Sequence, residues 1–136
     1  MKRVVALFVF VLLLTASIQP GFGEPDAVDL DLSVMPLSIA YAQAVAMLRE
    51  PSDYVGQTVR VSGVFNYSEA RQKGVCIVAD VSGCCETSLD FICADDLAYP
   101  GDYPDLYSRI TVVGRFEPCA DAEGAYCLTD AGIEAN

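Results

Sequence analysis

The residues best suited to chemistry in this chain are its six cysteines: Cys76, Cys84, Cys85, Cys93, Cys119 and Cys127. The chain contains no histidine to share a site with them. Cysteine side chains bind soft metal ions, exchange disulfides, or form pairs that serve as structural cross-links. Which of these applies depends first on the compartment in which the chain folds.

The N-terminus predicts export. Two basic residues at positions 2 and 3 precede an apolar run of 11 residues, 4–14. Small residues then precede a predicted cleavage site before Glu24, and an earlier cleavage after Ser17 is the alternative. These are the parts of a secretory signal, here residues 1–23. The run is shorter than the roughly 20 residues needed to span a bilayer. We therefore expect a periplasmic or extracellular protein with no stable membrane span after cleavage; a retained anchor is the alternative.

Export favours disulfides, because an even number of cysteines in a small exported domain usually forms a disulfide framework. Cys119 and Cys127 flank a short predicted turn and make the best single pair. Cys76 could pair with Cys84 or Cys85 across another hairpin, which leaves the other of these two for Cys93. Six cysteines allow fifteen connectivities, so the pairing beyond Cys119 and Cys127 stays open.

A thiolate metal site is the alternative function. Zinc sites in small domains usually show close C-x2-C pairs, and this sequence has none. A turn could nevertheless direct Cys84 and Cys85 inward and, with Cys76 and Asp80, bind Zn²⁺ or Cu(I). The leading interpretation requires no cofactor. Redox exchange is less favoured, because only Arg71 and Lys73 lie nearby to stabilise a thiolate in an acidic chain.

Charge and composition exclude several functions. The net charge is −11, and without Lys2 and Arg3 six basic residues remain against 19 acidic ones. The negative electrostatic potential of such a chain repels nucleic-acid phosphates and anionic membrane surfaces. The lack of histidine removes Ser-His-Asp and Cys-His catalysis and the usual base near neutral pH. We therefore predict no enzyme and no nucleic-acid partner, but a protein or small-molecule partner in the cell envelope.

One helix precedes the strands. Residues 24–36 form an acidic segment without periodicity, interpreted as a flexible lead-in, and residues 38–49 have the spacing of an amphipathic helix. Ser38 is the expected N-cap and Pro51 the stop. The predicted apolar stripe consists of Leu37, Tyr41, Ala44, Val45 and Leu48.

Two strand candidates, 58–65 and 109–116, share the pattern aliphatic-x-Val-x-Gly-x-Phe. A glycine in the middle of a strand often marks a bulge or a bend at the corner of a barrel. Gly63 and Gly114 therefore predict two neighbouring strands in a small barrel; a chance likeness of two ordinary strands is the alternative. Further strand candidates lie at 75–81, 86–94 and 125–133, and the helix is expected to plug one barrel end.

The loop between the third and fourth predicted strands carries Tyr99, Tyr103 and Tyr107 among prolines. Prolines exclude a long helix there. The tyrosines are expected to pack over a barrel end, and a ligand-contact loop is the alternative.

These features together resemble a known group. Residues 51–65, the C-x7-CC spacing of Cys76, Cys84 and Cys85, and residues 89–91 and 99–104 resemble small exported bacterial OB-fold proteins of uncharacterised function. The resemblance covers about residues 38–130. It implies that residues 37–136 form a mainly β, five-stranded OB-like barrel with one N-terminal α-helix. It also implies that Cys76, Cys84 and Cys85 are the cysteines shared with this group and that Cys93, Cys119 and Cys127 are additions in this sequence. It implies no activity, and we expect a non-catalytic binding or accessory module.

Overall fold

Six strands and one α-helix make up residues 27–134, the part of the chain that this computed structural model describes. The helix α1 spans Leu37–Arg49 and is followed by a short 3-10 turn at Pro51–Asp53. The strands are β1 (Leu30–Asp31), β2 (Thr58–Ser68), β3 (Lys73–Ala79), β4 (Glu86–Cys93), β5 (Arg109–Pro118) and β6 (Tyr126–Glu134). The predicted signal peptide, 1–23, lies outside the described residues. Within them, no helix has both the length and the apolar character needed to cross a membrane.

Strands β2 to β6 close into a barrel. Their order is β2-β3-β4-β6-β5, and β5 pairs again with β2. The β4–β6 pairing is parallel, and the other barrel pairings are antiparallel. This arrangement confirms the prediction of a mainly β, five-stranded OB-like barrel with one N-terminal helix.

The two predicted glycine bends lie in neighbouring strands, as expected. Strand β2 pairs with β5 over residues 58–64 and with β3 over residues 64–68, so it changes partners next to Gly63. A Cβ atom on Gly63 would lie 2.3 Å from the carbonyl oxygen of Ile77. Gly114 lies opposite Val59, where the pairing of β5 with β6 shifts register. Both glycines therefore allow close approach of backbones where the barrel bends.

Helix α1 lies where predicted, but its buried face agrees only in part with the predicted stripe. It begins at Leu37 with Pro36 in the N-cap position and no side-chain cap, so the predicted Ser38 cap is wrong. Its buried residues are Ala40, Ala44 and Met47, whereas Leu37 is half exposed. Small alanines let the helix lie close to β3 and β4, and the bulkier Tyr41 and Leu48 flank this contact.

The barrel interior and the buried face of α1 form one apolar core, which includes Val59, Phe65, Leu89 and Phe116. The predicted lead-in contributes to it as well. Its strand β1 pairs in parallel with β2, and the next residue, Leu32, is buried. A strand of two residues is too short to show periodicity, so it could not be predicted from the sequence pattern.

Candidate functional site

A groove crosses the outer face of β2, β3 and β4, and we call it the β2–β4 groove. It consists of two adjoining cavities of about 500 and 420 Å³. Both cavities are lined by Asn66, Ile77 and Glu86, so they adjoin at these three residues. The larger cavity reaches Leu37 at the start of α1, and the smaller one reaches Arg71 beyond the end of β2.

Strand register explains the middle of this groove. Val64 on β2 pairs with Ile77 on β3, which in turn pairs with Ser88 on β4. On the other side Val64 pairs with Arg109 on β5. Alternate strand residues point to opposite faces, and Phe65, the neighbour of Val64, lies fully buried in the barrel. These four side chains therefore form an outward row with two half-buried aliphatic residues at its centre.

Charged groups of both signs border the groove. Asp80 and Glu86 lie at the β3–β4 turn, Arg109 borders the β5 side, and Arg71 lies at the far end. Arg71 forms a 2.6 Å ion pair with Asp90, which holds its guanidinium beside β4. A hydrogen bond from Ser82 holds the pKa of Asp80 below its usual value. The groove thus offers an apolar centre with ionic contacts on its borders, as ligand sites generally do.

The structure separates the three predicted loop tyrosines. The ring of Tyr99 stacks on Tyr67 at 3.8 Å between centroids, and Tyr103 stacks on Phe65 at 5.7 Å. Tyr107 instead is 72% exposed and lines the β2–β4 groove. Tyr99 and Tyr103 therefore pack against the barrel, and of the three only Tyr107 is placed to touch a ligand in the groove.

Cys119 and Cys127 are brought together at the β5–β6 hairpin, as the sequence predicted. Both are buried, and their thiols are in hydrogen-bonding contact. Burial, together with that contact, raises the pKa of Cys127 to about 12. The buried Lys73 lies beside this pair and forms an ion pair with Asp121 in the hairpin loop. The structure describes all six cysteines as thiols, so the disulfide stays a prediction.

The register does not bring Cys76 to Cys84 or Cys85. Cys76 points into the core and pairs with Leu89, and burial raises its pKa to about 12. Cys93 lies at the opposite end of β4 from Cys85, half-buried, with its thiol hydrogen-bonded to Tyr103. Neither of the further disulfide pairings that the sequence left open is therefore placed for bonding.

The turn between β3 and β4 gathers three of the four residues considered for a metal. The candidate ligand atoms of Asp80, Cys84 and Cys85 all lie within 4.8 Å of one another, and we call this group the hairpin-tip cluster. The two sulfurs are 3.6 Å apart. Asp80 is half-buried and both cysteines are exposed. Cys76, the fourth residue considered, is in the core and does not belong to the cluster.

Sequence reasoning missed most of the groove, because the groove depends on which residues face one another across strands. The local signals were the strand pattern that sets Val64 apart from Phe65 on the opposite face, and the place of Tyr107 in a loop that contains prolines. Comparisons with models of protein families and with curated proteins found no match for this chain. The resemblance to small exported OB-fold proteins accordingly stays a prediction.

Proposed function

We propose that this chain is a non-catalytic binding module of the cell envelope that acts after export and holds an extended segment of a partner protein in the β2–β4 groove. One observation carries the proposal. Two cavities adjoin on the outer face of three strands, and the paired residues Val64 and Ile77 are among those that line them.

The size and place of the groove support ligand binding. Each cavity falls in the range of roughly 300–1,000 Å³ that is common for binding sites. OB-fold barrels often bind ligands on the outer face of their second and third strands, which are β3 and β4 here. The half-buried Val64 and Ile77 give an apolar ligand group a surface from which to displace water.

The shape and charge of the groove favour an extended peptide. A peptide in extended conformation presents side chains alternately and carries backbone donors and acceptors throughout. Such a chain suits a groove whose aliphatic centre is bordered by Asp80, Glu86, Arg71 and Arg109. The net charge of −11 opposes a nucleic acid in the same place.

A peptide-selection experiment tests this proposal. Random decapeptides are selected on the immobilised protein, and the affinity of the recovered peptides is measured for the wild type and two variants. Ile77→Asp places a charge in the middle of the groove. Ile39→Asp is the matched control, because Ile39 is an exposed isoleucine on α1 that does not line the groove.

We expect selected peptides that carry an aliphatic or aromatic residue, with affinity reduced about tenfold or more by Ile77→Asp and unchanged by Ile39→Asp. A buried apolar contact of one side chain is worth about 1.5–3 kcal/mol, which corresponds to at least such a loss. Failure to select any peptide, or equal binding by both variants when both are folded, would contradict the proposal.

A further inference from the structure

The hairpin-tip cluster carries a second inference, and it shares only Asp80 with the β2–β4 groove. We propose that Cys84, Cys85 and Asp80 form a binding site for one Zn²⁺ ion, with a fourth coordination position left for water or an external ligand. The site uses the turn that connects β3 to β4 and does not require Cys76.

The distance between the two sulfurs fits zinc coordination. Two Zn–S bonds of about 2.3 Å at the tetrahedral angle place their sulfurs about 3.8 Å apart. The Sγ atoms of Cys84 and Cys85 are 3.6 Å apart, close to this spacing. The carboxylate of Asp80 lies within 4.8 Å of both sulfurs, so a third ligand lies on the same side of the turn.

The turn holds these donors near one another. The backbone N–H of Asp80 donates to the carbonyl of Cys85 at 2.9 Å, which ties the two ends of the turn together. The Ser82 hydroxyl lies 2.7 and 2.8 Å from the two carboxylate oxygens of Asp80 and 2.9 Å from the Cys84 sulfur. Ser82 is thus placed to orient two ligands without being a ligand itself, as outer hydrogen-bonding partners of metal sites do.

The mixture of ligands favours Zn²⁺ over Cu(I). Zinc accepts both thiolate and carboxylate ligands, whereas Cu(I) prefers soft sulfur ligands alone. The other close cysteine pair, Cys119 and Cys127, is a poorer metal site because the ammonium group of Lys73 lies beside it. At the hairpin tip the charged group next to the thiols is a carboxylate, which attracts a cation.

Metal titration of the reduced, metal-free protein tests the site. Co²⁺ is the spectroscopic probe, because thiolate coordination produces an intense charge-transfer absorption, and Zn²⁺ and Cu(I) are then added in separate arms. Cys84→Ser and Asp80→Asn remove ligands. Cys93→Ser is the matched control, because its thiol is hydrogen-bonded to Tyr103 at the far end of β4.

We expect one equivalent of Co²⁺ to bind with thiolate absorption and to be displaced by Zn²⁺. Affinity for Zn²⁺ should fall at least about tenfold in Cys84→Ser and in Asp80→Asn, and stay unchanged in Cys93→Ser. Zn²⁺ binding that is equal in Cys84→Ser and the wild type would overturn the proposal. Binding of Cu(I) without Zn²⁺ would overturn the assignment of the metal. Because Ile77 is not a ligand, Ile77→Asp should bind Zn²⁺ normally, which keeps this test independent of the groove.

Discussion

Gly63 on β2 lies opposite Ile110 on β5, at the point where β2 leaves β5 and begins to pair with β3. Because Gly63 has no Cβ atom, β2 can approach the carbonyl of Ile77 closely and pair with β3 as well as with β5. The next residue, Val64, is thereby placed on the outer face between Arg109 and Ile77. The bend that closes the barrel therefore also forms the apolar centre of the β2–β4 groove.

Replacement of this glycine should be costly. In Gly63→Ala the new Cβ would lie 2.3 Å from the Ile77 carbonyl oxygen and 2.7 Å from the Cys76 sulfur, so the backbone must shift. We expect the free energy of unfolding to fall by about 2–3 kcal/mol, as for other overpacked sites. Denaturant unfolding measures this change.

Gly132→Ala on β6 is the matched control, because an added Cβ there meets no atom within 4 Å. We expect its unfolding free energy to stay within about 1 kcal/mol of the wild type. If the two variants are destabilised equally, the close approach at Gly63 does not limit the fold.

We predict that Cys119 and Cys127 form a disulfide when the protein folds under oxidising conditions. A cross-link that closes so short a loop stabilises by about 2–3 kcal/mol on the chain-entropy model. Addition of reductant to the wild type should therefore lower its unfolding free energy by about that amount. Cys127→Ser should no longer respond to reductant, whereas Cys93→Ser should respond as the wild type does. Peptide mass mapping after alkylation without reductant gives the second readout: modification of both Cys119 and Cys127 would refute the bond.

The Lys73–Asp121 ion pair should make stability depend on pH at both extremes. Burial by itself lowers the pKa of Lys73, but in the reduced protein the hydrogen bond to Asp121 and the thiols of Cys119 and Cys127 more than offset this, so the pKa is raised. The same hydrogen bond lowers the pKa of Asp121. Lys73 thus adds to the free energy of unfolding below its unfolded pKa of about 10.4. This contribution is lost as the pH rises through the higher pKa of the folded state. Asp121 adds to the free energy of unfolding above its unfolded pKa of about 3.9. This contribution is lost as the pH falls through the lower pKa of the folded state.

Lys73→Met tests this pair, because it keeps the apolar stem in its buried position and removes the charge. We expect the melting temperature of the wild type to decline more steeply than that of Lys73→Met below pH 4 and above pH 10. Parallel pH profiles for the two proteins would show that the ion pair does not contribute.

Local periodicity was enough to predict most of the fold. All five barrel strands lie where strand candidates were predicted, and the shared glycine pattern of the segments around Gly63 and Gly114 correctly indicated neighbouring strands. The helix was located as well, but its buried face was predicted only in part. Leu37 looked like part of the apolar stripe, whereas Ala40 lies in the core because a small residue permits closer packing.

Most of the site could not be predicted, because it is formed by residues that lie far apart in the sequence and meet only in the fold. Cys76 faces Leu89 instead of Cys84 or Cys85, because the register of β3 with β4 decides which residues meet. Lys73 is buried because it meets Asp121, which is 48 residues away in the sequence. The hairpin-tip cluster was partly foreseen, since Asp80, Cys84 and Cys85 lie in one short turn and their proximity is a local property.

Chemical-shift mapping with a selected peptide tests the central claim most directly. Isotope-labelled protein is titrated with a peptide recovered from the selection, and amide shifts are followed residue by residue. We predict saturable shifts concentrated at residues 64–68, 75–79 and 86–88, and no such shifts in the Ile77→Asp variant. Shifts concentrated instead at the 119–125 loop or along α1 would contradict the assignment of the β2–β4 groove as the binding site.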